Sequence, residues 1–212
     1  MKLQALGFDL DGTLWDSTVP VTITWRRIFE EQGLPHLPTE ADIQGIMGLS
    51  AAQIAAKLLP ELDPAEGLAL VERCCLEEQD TILQMGGRLY PEVPETLARL
   101  GERLPLFIVS NCEPGYIESF LTYHKLGEFF ADTENLGRTG LTKAGNIRLV
   151  MRRNGWENTA YLGDTEWDQA AAVEAGVPFL HAAFGFGHAV GRVPELAAFA
   201  DLPDLLTELE LW

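Results

Sequence analysis

Apolar and polar positions divide the chain into three regimes. Residues 3–10 form a short, continuous apolar run, the pattern of a strand buried on both faces. From Ser17 to about Arg88 the apolar residues recur at helical spacing, and no stretch reads as a strand. From Tyr90 onward, short apolar runs alternate with helical segments.

Local signals refine this reading. In the middle regime, Thr22 to Gln32 predicts a helix stopped by Gly33, and Thr39 caps a second. Ser50-Ala51-Ala52-Gln53 is a capping box that opens a third. Asp63-Pro64-Ala65-Glu66 starts a long fourth helix that Gly86-Gly87 ends. In the last regime, strands are expected at Leu104–Val109, Phe129–Thr133, Ala160–Gly163 and Val177–His181. Helices are expected at Pro94–Gly101, Pro114–His124, Lys143–Asn154 and Glu166–Ala175. Strands alternating with helices predict an α/β fold with a parallel sheet covered on both faces. The expected organisation is a core of residues 1–16 and 89–212, with an all-helical insert over 17–88.

The candidate chemistry collects where strands end. The first run finishes in Gly7-Phe8-Asp9-Leu10-Asp11-Gly12-Thr13-Leu14-Trp15-Asp16. Asp9 and Asp11 are two apart, so on an extended chain they share a face. Gly12 then permits a sharp turn. Ligands of parallel sheets bind at the carboxyl ends of strands, and paired carboxylates there call for a cation or a shared proton. Ser110-Asn111 ends the second core strand. Lys143 starts a helix, where a cation opposes the helix dipole and so points to a functional reason. Gly163-Asp164-Thr165-Glu166-Trp167-Asp168 follows the fourth core strand.

These four stretches, in this order, resemble the motifs of the haloacid dehalogenase superfamily, the aspartate-nucleophile phosphatases. The likeness runs along the whole chain and is greatest to phosphoglycolate-phosphatase-like members. It implies a Rossmann-like sheet of order 5-4-1-2-3, with residues 17–88 as a helical cap. It also implies Asp9 as nucleophile and Asp11 as general acid/base. A carboxylate nucleophile splits one hard displacement into two, and a neighbouring carboxyl serves both as acid and as base. Gly12, Thr13, Ser110, Asn111 and Lys143 would hold the phosphate, with Lys143 also counted as catalytic. Magnesium would be bound by Asp9, the Asp11 backbone carbonyl and Asp164. Asp168 would reach it through water or pair with Lys143. The family often places proline after this lysine, whereas this chain has Ala144.

The expected activity is a magnesium-dependent phosphatase acting on a small phosphate monoester through an aspartyl-phosphate. The alternatives are a phosphosugar mutase of the same superfamily and a non-catalytic module that kept the fold. Mutases of this type carry Gly-x-Ser-Arg in the cap, and here the stretch is Gly48-Leu49-Ser50-Ala51. Lys57 and Arg73 are the nearest cap cations to that stretch in sequence.

Composition narrows the partners. A formal charge of −17 argues against nucleic acid and requires any phosphate site to use local positive groups. Cys74, Cys75 and Cys112 are odd in number and suggest no disulfide framework, which fits a reducing cytoplasm. The short first run goes straight into the acidic motif, unlike a signal peptide or a membrane span. A monomer or weak homodimer is expected. Cys112 reads as packing, and Trp15 as equally suited to the core or to the substrate.

Overall fold

The structure is a computed structural model that describes residues 2–212. In chain order, β1 (Ala5–Phe8) leads into the two-residue β2 (Trp15–Asp16). Helices α1 (Thr18–Glu31), α2 (Glu40–Gln44), α3 (Ala51–Leu58) and α4 (Pro64–Met85) follow, then β3 (Arg88–Leu89). The rest is α5 (Val93–Gly101), β4 (Leu106–Ser110), α6 (Tyr116–His124), β5 (Phe130–Asn135), α7 (Leu136–Thr139) and α8 (Lys143–Asn154). It closes with β6 (Thr159–Gly163), α9 (Glu166–Ala175), β7 (Phe179–Ala182), β8 (Glu195–Leu196) and α10 (Leu202–Glu208).

Six strands form one sheet in the order β5-β4-β1-β6-β7-β8, and every neighbouring pair is parallel. The five strands expected from the sequence keep the order 5-4-1-2-3. The sixth, Glu195-Leu196, pairs beside β7 and was too short to leave a period-2 signal. β1 lies at the centre, with Gly7 level with Phe107 on one side and Tyr161 on the other. A Cβ on Gly7 would come within 2.4 Å of the Phe107 ring and 2.9 Å of the Tyr161 ring. Those rings lean over the glycine to close the core.

Side-chain alternation sorts β1 between two cores. Leu6 and Phe8 join the larger cluster, together with Leu106, Ile108 and Leu162. Ala5 joins the smaller one, with Phe107, Val109, Tyr161 and residues of α8 and α9 such as Ile147 and Ala172. Asp9 has the parity of Ala5 and Gly7, so it faces the α8–α9 side.

The predicted caps form in the middle regime. Thr39 and Ser50 close capping boxes with Asp42 and Gln53, and Asp63 accepts from the Ala65 N–H. The first helix starts at Thr18, earlier than Thr22. β2 and β3 pair antiparallel, Trp15 with Leu89 and Asp16 with Arg88, so the two chain crossings into the helical insert lie side by side. The boundary expected between 88 and 89 falls inside β3. Gly87 permits this close approach, since a Cβ there would come within 2.6 Å of the Asp16 carbonyl. No helix among the described residues is long and apolar enough to cross a membrane.

Candidate active site

The register places the site. Phe8 is level with Ile108 and Leu162, and the Asp9 N–H still donates to the Leu162 carbonyl at 2.8 Å. Asp9, Ser110 and Asp164 therefore leave the carboxyl ends of three adjacent strands. α8 and α9 bring their first turns to the same edge, and with them Lys143 and Asp168.

Lys143 Nζ is the centre of a buried ion triad. It donates to Asp9 Oδ1 at 2.7 Å and to Asp168 Oδ1 at 2.5 Å, and all three side chains are at most 4% exposed. Burial works against the ammonium, but Asp168 and Asp9 outweigh it and raise the lysine well above its usual range. The other Asp168 oxygen, Oδ2, accepts from the Thr165 N–H at 3.0 Å and from its hydroxyl at 2.6 Å. Asp168 thus closes the capping box of α9 and fixes Lys143 at once.

Asp164 is fully buried. Its Oδ2 accepts from the backbone N–H of Phe186 at 2.8 Å and of Gly187 at 3.2 Å, and the Thr13 hydroxyl lies 3.5 Å from Oδ1. The Gly185-Phe186-Gly187 loop therefore holds this carboxylate. Burial and then Asp168 push Asp164 up to about 7, against those two N–H groups. Burial and Asp168 likewise push Asp9 well above the carboxylate range, against Lys143. Carboxyl oxygens of Asp9, Asp164 and Asp168 lie within 4.8 Å of one another. Three buried carboxylates against one lysine leave two negative charges when all are ionised. An all-oxygen set with that deficit fits one hard divalent cation.

Asp11 does not share Asp9's surroundings. Extended pairing ends at Phe8, so the two-residue parity that would put both carboxylates on one face does not reach Asp11. Its Oδ1 accepts from the Tyr116 hydroxyl at 2.9 Å and from the Ser17 hydroxyl, and these hydroxyls lie 3.0 Å apart. Burial raises Asp11, and the bonds from Ser17 and Tyr116 oppose that rise. Asp9 and Asp11 nevertheless line one cavity of about 70 Å³, together with Ser110, Asn111 and the underside of the helical insert.

The remaining expected phosphate ligands are placed differently. Gly12 and Thr13 pack on Asp164, and their N–H groups are taken by the carbonyls of Trp15 and Leu10. Neither lines the cavity. Asn111 Nδ2 donates to the Gly48 carbonyl at 2.9 Å, tying the core to the insert. Trp15 is core: fully buried, its ring packs on Tyr116, Phe120 and His124. Cys112 lines the cavity, and burial pushes its thiol well above the range of a reactive thiolate.

Sequence reasoning missed Ser17, Tyr116 and Glu78. The first two act on Asp11 across 6 and 105 residues, and no local pattern marks such a pair. Glu78 did leave a signal. It shares the inward face of α4 with Val71, Cys74 and Ile82 at helical spacing, a charge on an apolar stripe.

The sequence profile of the haloacid dehalogenase-like hydrolase family matches residues 7–182. A phosphoglycolate phosphatase of Photorhabdus laumondii is 28% identical over 227 residues, covering 99% of this chain and 93% of that one. A phosphoglycolate phosphatase of Synechococcus elongatus is 29% identical over 209 residues, with 97% and 93% covered. A solved haloacid dehalogenase-like hydrolase of Streptococcus pneumoniae superposes with a TM-score of 0.82 at 22% identity, covering 95% and 97% of the two chains. At that identity the likeness is one of fold.

Proposed function

The chain belongs to the haloacid dehalogenase-like hydrolase family, and from that premise we propose that it is a phosphatase that hydrolyses a small phosphate monoester through an aspartyl-phosphate on Asp9. One observation carries this reading. A buried carboxylate at the carboxyl end of the central strand has one oxygen held by Lys143 and lies on a cavity it shares with a second carboxyl, Asp11. The similarity to phosphoglycolate phosphatases supports a phosphate monoester as the substrate class.

In the proposed reaction an Asp9 oxygen attacks phosphorus and the ester P–O bond breaks. Asp11, protonated at the start, gives its proton to the departing alkoxide. Asp11 then takes a proton from water, which attacks the phosphorus of the aspartyl-phosphate. Inorganic phosphate leaves and Asp9 is restored. Lys143 orients Asp9 and offsets charge at the site. Ser17 and Tyr116 aim the Asp11 carboxyl and moderate the rise that burial imposes on it. Magnesium, held by Asp9, Asp164 and the Asp11 backbone carbonyl, would supply positive charge to the phosphoryl oxygens. Asp168, with both oxygens engaged, serves Lys143. Residues 17–88 would act as a cap, closing over substrate and reopening about the β2–β3 ribbon.

The mutase reading loses support from the insert's cations. Lys57 Nζ donates to the Gly45 carbonyl at 2.6 Å, and Arg73 pairs with Glu31 and Glu77. Neither lines the cavity, so among the described residues no cation stands there for a second phosphate. The test of function is release of nitrophenol from p-nitrophenyl phosphate. Activity should require magnesium, stop in excess chelator and disappear in Asp9→Asn while the variant stays folded. Turnover by Asp9→Asn, or full activity in chelator, refutes the mechanism.

A further inference from the structure

The part of the cavity that faces the insert has an unusual make-up. Its walls are apolar, with Trp25, Ile43, Ile46, Met47 and Ile54 among them, and the carboxyl that α4 adds is Glu78. Among the described residues, no lysine, arginine or histidine lines it. The insert's cations are engaged elsewhere. Arg26 donates to the Pro38 carbonyl, Arg27 and Arg73 bind Glu31 and Glu77, Lys57 donates to Gly45, and Arg88 pairs with Asp16.

Glu78 is 6% exposed, and its Oε2 accepts from Trp25 Nε1 at 2.5 Å. Trp25 is its one hydrogen-bonding partner among the described residues, and Glu78 lines the cavity, so its second oxygen is left for a ligand there. Satisfying the Trp25 N–H needs only a neutral acceptor, and a buried carboxyl is a costly way to provide one. Burial, the largest effect, pushes Glu78 up to about 8, and Asp11 adds to the rise. Once ionised, Glu78 favours a partner that brings a donor or a positive charge and opposes an anion, and an ammonium beside it would itself hold the carboxyl ionised.

Resting on the phosphatase reading above, we propose that Glu78 selects the alcohol half of the substrate. It favours a phosphate monoester whose alcohol carries a hydrogen-bond donor, an ammonium or a hydroxyl, on a short apolar skeleton, and it rejects an alcohol that carries a carboxylate. Phosphoglycolate, the compound in the names of the similar phosphatases, is an ester of the rejected kind.

The test compares esters of similar size by kcat/KM in magnesium at pH 9, where Glu78 is ionised: phosphoethanolamine (ammonium), glycerol 2-phosphate (hydroxyl), propyl phosphate (neither) and phosphoglycolate (carboxylate), with p-nitrophenyl phosphate as reference. Either donor ester should exceed propyl phosphate, and phosphoglycolate should fall on the order of tenfold or more below the better donor ester, the effect of one like charge in a partly buried site. The two donor arms tell ammonium from hydroxyl. Glu78→Gln keeps an acceptor for Trp25 and should shrink the ratio of donor ester to phosphoglycolate at least severalfold. A merely structural role would lower all esters together and leave that ratio unchanged. Phosphoglycolate as the best of the four esters, or a ratio that Glu78→Gln does not move, overturns the assignment while the phosphatase reading stands. Failure to hydrolyse any ester, the aryl phosphate included, overturns both. The wild-type comparison decides by itself if the variant does not fold.

Discussion

Replacing Lys143 with Met tests how the site is held together. The side chain is similar in length, so the change removes charge with little change in volume. Nζ lies 2.7 Å from Asp9 and 2.5 Å from Asp168. At an effective dielectric of about 20, each contact has an attraction of about 6–7 kcal/mol before desolvation is counted. Desolvating three buried ions offsets much of this, so the intact triad adds little net stability. Removing only the lysine leaves two buried carboxylates unpaired, and that should cost about 3–5 kcal/mol. In a chain of 212 residues this lowers Tm by roughly 6–20 °C. The assay is guanidinium unfolding followed by circular dichroism at pH 7.5, in chelator and again in magnesium. Magnesium should recover part of the loss, and stabilise the variant more than the parent, because a cation relieves the same carboxylates. The sign with pH follows from Asp9, which burial already raises in the parent and which losing Lys143 raises further. A carboxyl with a raised folded pKa holds a proton that the unfolded chain releases, so stability falls as pH rises above the ordinary value of 3.8. The deficit should therefore be greatest near neutrality and shrink toward pH 4. A loss below about 1 kcal/mol in chelator at pH 7.5, or a deficit that does not change with pH, would refute the argument.

Two further substitutions probe the neighbourhood. Gly12 has φ +80°, and a Cβ there would lie 2.2 Å from Asp164 Oδ2. Gly12→Ala should raise the magnesium concentration needed for half-maximal activity on p-nitrophenyl phosphate by on the order of tenfold or more, and an unchanged requirement would show that Asp164 can move freely. Glu78→Gln removes a carboxyl that burial raises to about 8. The parent's share of stability from this group is full below about pH 4.5 and is lost as pH rises toward 8. The variant should therefore gain on the parent by roughly 2–4 kcal/mol between pH 5 and pH 9 in paired denaturation curves, and parallel curves would show that Glu78 is better solvated than its surroundings suggest.

The sequence by itself determined whatever depends on near neighbours along the chain. The apolar run of β1, the capping boxes at Thr39 and Ser50, the proline start of α4 and the bounds of α8 and α9 all follow from interactions a few residues long. The candidate positions Asp9, Ser110, Lys143 and Asp164 were legible too, because each stands at the end of a strand or the start of a helix. The tertiary structure decided what each group touches. The regular strand register ends at Phe8, and Asp9 turns to Lys143 while Asp11 turns to Ser17 and Tyr116, although the two carboxylates are two residues apart. Gly12 and Thr13 turned toward Asp164 because their own N–H groups close the turn after Leu10. Glu78 is one of several acids on α4, and only the packing of Trp25 from α1 makes it a buried group beside the cavity. Local periodicity ranks which faces are apolar, but the position of an atom relative to another 50 or 100 residues away is set by how helices and strands pack. For that reason the family and the candidate positions could be read from the chain, whereas the partners of Asp11 and the lining of the cavity could not.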